Sequence, residues 1–268
     1  MTQRLPFSGH HVGSALREIR RLLRRLPKRA NTILRLAAEQ LTYPPDFSGS
    51  ELALCESVAP FTMASPERIV SLADAVRHIS AANIPGAIVE CGVWRGGSMM
   101  VVARTLCKAG DVRRDLYLFD TFEGMSAPTD VDVAVTSESA SSLLSRASRA
   151  EGRSVWCVAG EEDVRTNMHA TGYPSEHIHL VPGKVEDTLP HNAPEGIALL
   201  RLDTDWYEST KHELIHLYPR LASGGILLLD DYGHWQGARK ATDEYFASLA
   251  QRPLLCRVDY SGRIALKP

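Results

Sequence analysis

Four aspartates stand in two short clusters, each at the end of an apolar run: Leu200-Arg201-Leu202-Asp203-Thr204-Asp205 and Leu228-Leu229-Asp230-Asp231. Carboxylates gathered in a partly dry space repel one another unless a cation compensates them. The set holds no cysteine and no suitably spaced histidine. Oxygen-only ligands suit Mg²⁺ or Mn²⁺ better than Zn²⁺. Asp203, Asp230 and Asp231 are the expected metal ligands. Asp205 reads differently, because Asp205-Trp206-Tyr207-Glu208 fits a capping box opening the next helix. As a plain alternative, Asp230-Asp231 are turn residues. His234 follows the second cluster closely; it is either a general base, since imidazole titrates near neutrality, or a cap for a helix from Gly237.

A second group lies earlier, in Glu90-Cys91-Gly92-Val93-Trp94-Arg95-Gly96-Gly97-Ser98. Gly92 permits a tight turn and close backbone approach. Gly96 and Gly97 would let a ligand lie on the following helix start, whose amides favour a carboxylate. The spacing E-x-G-x-x-x-G-G departs from the dinucleotide pattern G-x-G-x-x-G. The next strand ends at Asp120, placed to accept hydrogen bonds from ribose hydroxyls. Together these features read as a nucleoside site, although a purely structural turn would use the same glycines.

Other histidines are assigned to structure. His212 and His216, spaced i, i+4, read as a helix face with no third ligand nearby. His177 and His179 read as edge positions of a strand.

The elements that must position these residues follow from periodicity. Strand-length apolar runs Ala87–Cys91, Leu116–Phe119, Ile178–Val181, Ile197–Leu202 and Ile226–Leu229 alternate with helical stretches Ser98–Lys108, Ser209–Leu221 and Gly237–Leu249. Such runs predict a parallel sheet covered on both faces. Leu254–Tyr260 and Arg263–Lys267, joined by Ser261-Gly262, predict a terminal antiparallel hairpin. Between Phe122 and His177 lies a long insertion, with a helix expected over Thr136–Ala147 and a role as lid or substrate wall. Residues 1–82 are expected to form an N-terminal helical extension or lid, with Ser65-Pro66 opening one helix. Residues 83–268 form the ligand-binding α/β domain.

Composition sets the remaining bounds. The chain has 268 residues and a net charge of -2, which gives no support to nucleic-acid binding. Five scattered cysteines predict free thiols in the cytoplasm. No apolar run approaches the roughly 20 residues of a membrane span, and the N-terminus lacks a secretory pattern. Arg17, Arg20, Arg21, Arg24, Arg25, Lys28 and Arg29, with Leu16, Ile19, Leu22, Leu23 and Leu26 between them, predict a basic amphipathic helix. It is read either as contact with an anionic membrane or acidic partner or as a docking or dimer helix.

The Glu90–Ser98 segment, with Phe119-Asp120-Thr121-Phe122-Glu123-Gly124, Leu202-Asp203-Thr204-Asp205-Trp206-Tyr207-Glu208-Ser209-Thr210 and Asp230-Asp231-Tyr232-Gly233, makes four ordered motifs. Together they resemble the macrocin O-methyltransferase family over residues 83–250. The resemblance implies a class I methyltransferase, Rossmann-like doubly wound fold, S-adenosylmethionine as donor, Mg²⁺ as cofactor and a sugar or glycoside hydroxyl as acceptor. It implies a cofactor-binding set of Glu90, Gly92, Trp94, Gly97, Ser98, Asp120, Thr121 and Phe122. Glu90, Gly92 and Ser98 match the donor's amino-acid pocket and Asp120 its ribose contact. Asp203, Asp230 and Asp231 match the metal carboxylates, and Asp203 the base, with His234 as the other candidate. A homo-oligomer is expected. The competing expectations are a catechol-type O-methyltransferase and a non-catalytic module that binds the donor or a glycolipid.

Overall fold

The computed structural model describes residues 43–151 and 153–268. The basic helix expected over residues 16–29 lies outside the described residues. The chain divides into two compact units, Met1–Leu52 and Ala53–Pro268, and the larger one carries every candidate residue.

Its sheet has seven strands: β1 (Ala87–Cys91), β2 (Leu116–Asp120), β3 (Ile178–Pro182), β4 (Ile197–Leu202), β5 (Leu221–Leu229), β6 (Cys256–Arg257) and β7 (Arg263–Leu266). Their order is β3-β2-β1-β4-β5-β7-β6. The first five run parallel, and β7 returns antiparallel beside β5. This is the doubly wound sheet with a terminal hairpin that the sequence predicts. The order reverses between β1 and β4, where ligands of such sheets lie at the carboxyl ends. Strands β1 and β4 are buried along their whole length, which explains why they are apolar runs without alternation.

The helices of the described residues are α1 (Gly49–Val58), α2 (Pro66–Ala81), α3 (Gly97–Ala109), α4 (Ala140–Arg146), α5 (Glu161–His169), α6 (Val185–Thr188), α7 (Tyr207–Leu217) and α8 (Gln236–Ala247). Ser65 caps α2, its hydroxyl accepting from Arg68 N–H at 3.2 Å. This helix, expected in an N-terminal extension, belongs to the larger unit. It buries Ile69, Leu72, Ala73, Val76 and Ile79, each large side chain contributing roughly 1.5–3 kcal/mol. No helix of the described residues is long and apolar enough to cross a membrane.

Three local expectations are corrected. The hairpin turn spans residues 258–262, closed by Val258 N–H to Gly262 carbonyl, because the Asp259 carboxylate accepts from both Ser261 and Gly262 N–H and folds a longer loop. The stretch after Leu217 is a short 3₁₀ turn, Tyr218–Arg220, and β5 starts at Leu221, since Pro219 cannot continue an α-helix. The insertion holds a second helix, α5. Its first turn carries Glu161, Glu162 and Asp163, and Val164 and Met168 are buried one turn apart.

The insertion is tied down, not free. Its own small core (Ala134, Ala140 and Leu144) packs on Trp206, Trp235 and Ala238 at the starts of α7 and α8. Buried Asp132 accepts from Tyr207 N–H at 2.8 Å and from Thr129 N–H at 2.7 Å. A Cβ at Gly237 would run into the same carboxylate.

Candidate active site

Pairing register brings the aspartate clusters together. Asp203 N–H donates to Cys91 carbonyl at 2.9 Å, and Asp230 N–H to Leu202 carbonyl at 3.0 Å. Gly92, Asp203 and Asp230 therefore leave three adjacent strands at one level. Gly92 has φ +80°, and any side chain there would strike the Asp203 carbonyl, so this turn admits glycine alone. Oxygens of Asp203, Asp230 and Asp231 lie within 4.8 Å of one another.

These carboxylates form part of the wall of a cavity of about 370 Å³. Gly92, Trp94, Gly97 and Ser98 line it from the β1–α3 turn, Asp120 and Thr121 from the end of β2, and His234 from the segment after β5. The insertion supplies Met125, Ser126, Arg153, Val155 and Cys157, so it is a wall of the cavity, as expected of it. Trp94, Cys157 and Asp205 each adopt positive φ. Left-handed backbone at non-glycine residues costs energy and gathers where surrounding structure enforces it.

Several expected residues fall elsewhere. Glu90 does not line the cavity: its side chain, 1% exposed, is paired with Arg201. Phe122 also lies outside the lining, buried with φ +54°. Gly97 does reach the cavity, but its N–H donates to Phe61 carbonyl at 3.0 Å, and a Cβ would sit 2.5 Å from that oxygen. Close approach of the Phe61–Thr62 backbone requires this glycine. Asp205 is no helix cap, because Asp132 takes that place at Tyr207. Instead Asp205 N–H donates to Asp231 at 3.1 Å, making it a fourth carboxylate of the cavity wall. Asp120 accepts from Val93 N–H at 2.6 Å, Trp94 N–H at 3.0 Å and Phe122 N–H at 2.8 Å. It thus clasps two loops at the cavity wall. The His212 and His216 rings meet at 4.4 Å, tilted by 57°, outside the lining, and His177 and His179, at the edge of the sheet, share the Asp115 carboxylate. Both placements agree with their structural assignment.

Two arginines complete the site without having been singled out in the sequence. Arg201, 5% exposed, bridges Glu90, Asp203 (2.7 Å) and Asp230 (2.5 Å). Arg68 reaches Asp230 and Asp259 from α2. Burial works against the Arg201 charge, but Asp203, Asp230 and Glu90 more than offset it. Even so, two guanidiniums face Glu90, Asp203, Asp205, Asp230, Asp231 and Asp259. Burial pushes Glu90 and Asp205 up to about 7 and raises Asp203 and Asp231 well above the usual carboxylate range. A compact set of hard oxygen donors with excess negative charge fits Mg²⁺ or Mn²⁺. His234 is held below its usual value by burial and by Arg68, so it is neutral at pH 7. Buried Glu213 accepts from the Thr204 hydroxyl at 2.9 Å and is kept protonated, chiefly by burial.

These shifts have a sign. Carboxyls with raised folded values contribute stability in full below their ordinary range and lose it as pH rises through the folded value. Metal-free protein is therefore expected to melt several degrees lower at about pH 8 than at about pH 5.5, with saturating Mg²⁺ reducing the difference. His234 runs the other way, losing stability as pH falls below its usual range, and opposes only part of the slope. Thermal melts with and without Mg²⁺ check this; a metal-free melting temperature that rises with pH would show that the cluster carries no excess charge.

The sequence profile of the macrocin O-methyltransferase family matches residues 38–264. The chain belongs to that family. The match takes in all four motifs and also Arg68 and Asp259. Demethyldecarbamoylnovobiocin O-methyltransferase of Streptomyces niveus is 34% identical over 202 residues, 75% of this chain and 73% of that protein. A Streptomyces olivaceus enzyme, 8-demethyl-8-(2,3-dimethoxy-alpha-L-rhamnosyl)-tetracenomycin-C 4'-O-methyltransferase, shows the same identity over the same shares. The solved structure of the O-methyltransferase NovP superposes with a TM-score of 0.66 at 32% identity, covering 77% of this chain and 82% of that one. This member of the macrocin O-methyltransferase family is an S-adenosylmethionine-dependent O-methyltransferase with the class I fold.

Proposed function

We propose that the enzyme methylates a hydroxyl of a sugar carried on a glycosylated small molecule, with Asp203, Asp230 and Asp231 holding Mg²⁺ or Mn²⁺. The observation that carries this reading is the convergence of three carboxylates within 4.8 Å at the wall of the cavity that also receives the β1–α3 turn. A relative named for a substrate that bears a rhamnosyl group supports the acceptor class.

The roles follow from placement. Gly92 and Ser98 give the donor close access to the β1–α3 turn. Asp120, oriented by three backbone amides, keeps one acceptor site on Oδ1 for a ribose hydroxyl. The bound cation would supply Lewis acidity and hold the acceptor oxygen near the carboxylates. Asp203, one oxygen fixed by Arg201 and its side chain 29% exposed, takes the hydroxyl proton; neutral His234 is the alternative acceptor. Holding donor and hydroxyl in line is worth up to about 7–11 kcal/mol of the barrier. Five free cysteines support a reducing, cytosolic setting.

Calorimetric titration with S-adenosylhomocysteine, with and without Mg²⁺, tests the reading. Binding by the wild type, retained in Asp230→Asn/Asp231→Asn while Mg²⁺ uptake is lost, is the expected result. Absence of S-adenosylhomocysteine binding would remove the donor assignment, and unchanged Mg²⁺ uptake in the double variant would remove the metal site.

A further inference from the structure

Asp230 has two carboxylate oxygens, and both already carry a guanidinium. Arg201 Nη2 holds Oδ1 at 2.5 Å, and Arg68 Nη1 holds Oδ2. A divalent cation and a guanidinium repel at this distance and cannot share one oxygen at full strength. Whichever oxygen the cation takes, the guanidinium on that oxygen is held less strongly.

The two arginines are not held equally. Arg201 projects from the fully buried strand β4 and contacts three carboxylates. Arg68 projects from the first turn of α2, is 14% exposed and lines the cavity. Its Nε lies 3.0 Å from Asp259 Oδ2 yet makes no hydrogen bond to any group among the described residues. That donor is unspent beside a carboxylate already locked in place. Asp259 Oδ1 accepts from Ser261 N–H (2.8 Å) and Gly262 N–H (2.6 Å), and Oδ2 accepts from the Ser65 hydroxyl at 2.8 Å.

We propose that Arg68 is the displaceable counter-ion of the metal site: it bridges Asp230 and Asp259 in the metal-free protein, and cation loading leaves it on Asp259 alone. Arg68 thereby keeps the carboxylates together when no cation compensates them. Its departure frees a guanidinium donor at the cavity wall and couples cation loading to α2 and to the loop at residues 258–262. This rests on the reading of Asp203, Asp230 and Asp231 as the cation site.

The test is a Mn²⁺ titration by calorimetry on the full chain, as a double-mutant cycle. Arg68→Met is expected to tighten Mn²⁺ binding roughly fivefold, the scale of one partly exposed ion pair. Asp259→Asn is expected to weaken it, because displaced Arg68 loses its remaining partner. In the Arg68→Met background, Asp259→Asn should change nothing. Additive effects of the two substitutions would overturn the proposal, since removal of charge alone acts additively; so would weaker Mn²⁺ binding in Arg68→Met. Asp231→Asn separates the two readings. If it abolishes Mn²⁺ binding while the cycle is additive, only the role of Arg68 fails. If it binds Mn²⁺ as the wild type does, the cation site itself fails, and this inference with it.

Discussion

Asp203→Asn is expected to lower turnover by about 10²–10⁴-fold, the range for a lost general base, while S-adenosylhomocysteine affinity stays within about twofold. The substitution preserves shape. Asp203 Oδ2 accepts from Arg201 Nη1 at 2.7 Å, so an asparagine would turn its carbonyl oxygen toward the guanidinium and its amide toward the cavity. An amide nitrogen there neither accepts a proton nor binds a hard cation. The turn proposed to receive the donor depends on Gly92 and on the Asp203 backbone, which the substitution leaves intact. Loss therefore belongs in the chemical step, visible in single-turnover rates. Full turnover by the variant would transfer the proton to His234 and end the case for Asp203 as base. His234→Gln then provides the complementary measurement.

The sequence was most legible where backbone and chemistry coincide. Parallel strands buried on both faces read as apolar runs, and the carboxylates at their ends mark the crevice. Gly92 was readable because only glycine tolerates both its φ and the Asp203 carbonyl above it. What stayed hidden were contacts made across the chain. Glu90 sits inside a recognisable motif, yet its partner is 111 positions away in Arg201, and that pairing keeps it from the cavity. Asp205-Trp206-Tyr207-Glu208 has the spacing of a capping box, but the cap comes from Asp132 in the insertion, a competitor local spacing cannot show. Helix α5 was missed because so short an amphipathic segment, buried through Val164 and Met168, barely outlasts the noise of a polar insertion. Arg68 sits in the first turn of α2, and only the fold places it against Asp230.

Arg201→Met should produce the largest loss of stability: about 3–5 kcal/mol at pH 8, the cost of stripping buried charges of their only fixed partner. The cause lies in the register. Glu90 and Arg201 are paired across β1 and β4, and Arg201 and Asp203 fall on one face of β4 by the period of two. One side chain thus meets three carboxylates, and methionine leaves all three in a dry setting. They respond by taking up protons, so the loss depends on pH. The folded values of Glu90 and Asp203, already raised by burial, rise further, and stability then falls more steeply between about pH 6 and pH 8 than in the wild type. Arg201→Lys should recover only part of the loss, because an ammonium cannot present a planar fork to separate carboxylates. Thermal melts at the two pH values read both effects. A methionine variant that melts with the wild type at pH 8 would mean that Arg68 or solvent already compensates the cluster, and that Arg201 is not its fixed counter-charge. The wider consequence concerns how this chain keeps so many acids together before any cation arrives. A fixed guanidinium in the strand supplies the permanent share of positive charge, and a bound cation would supply a further share.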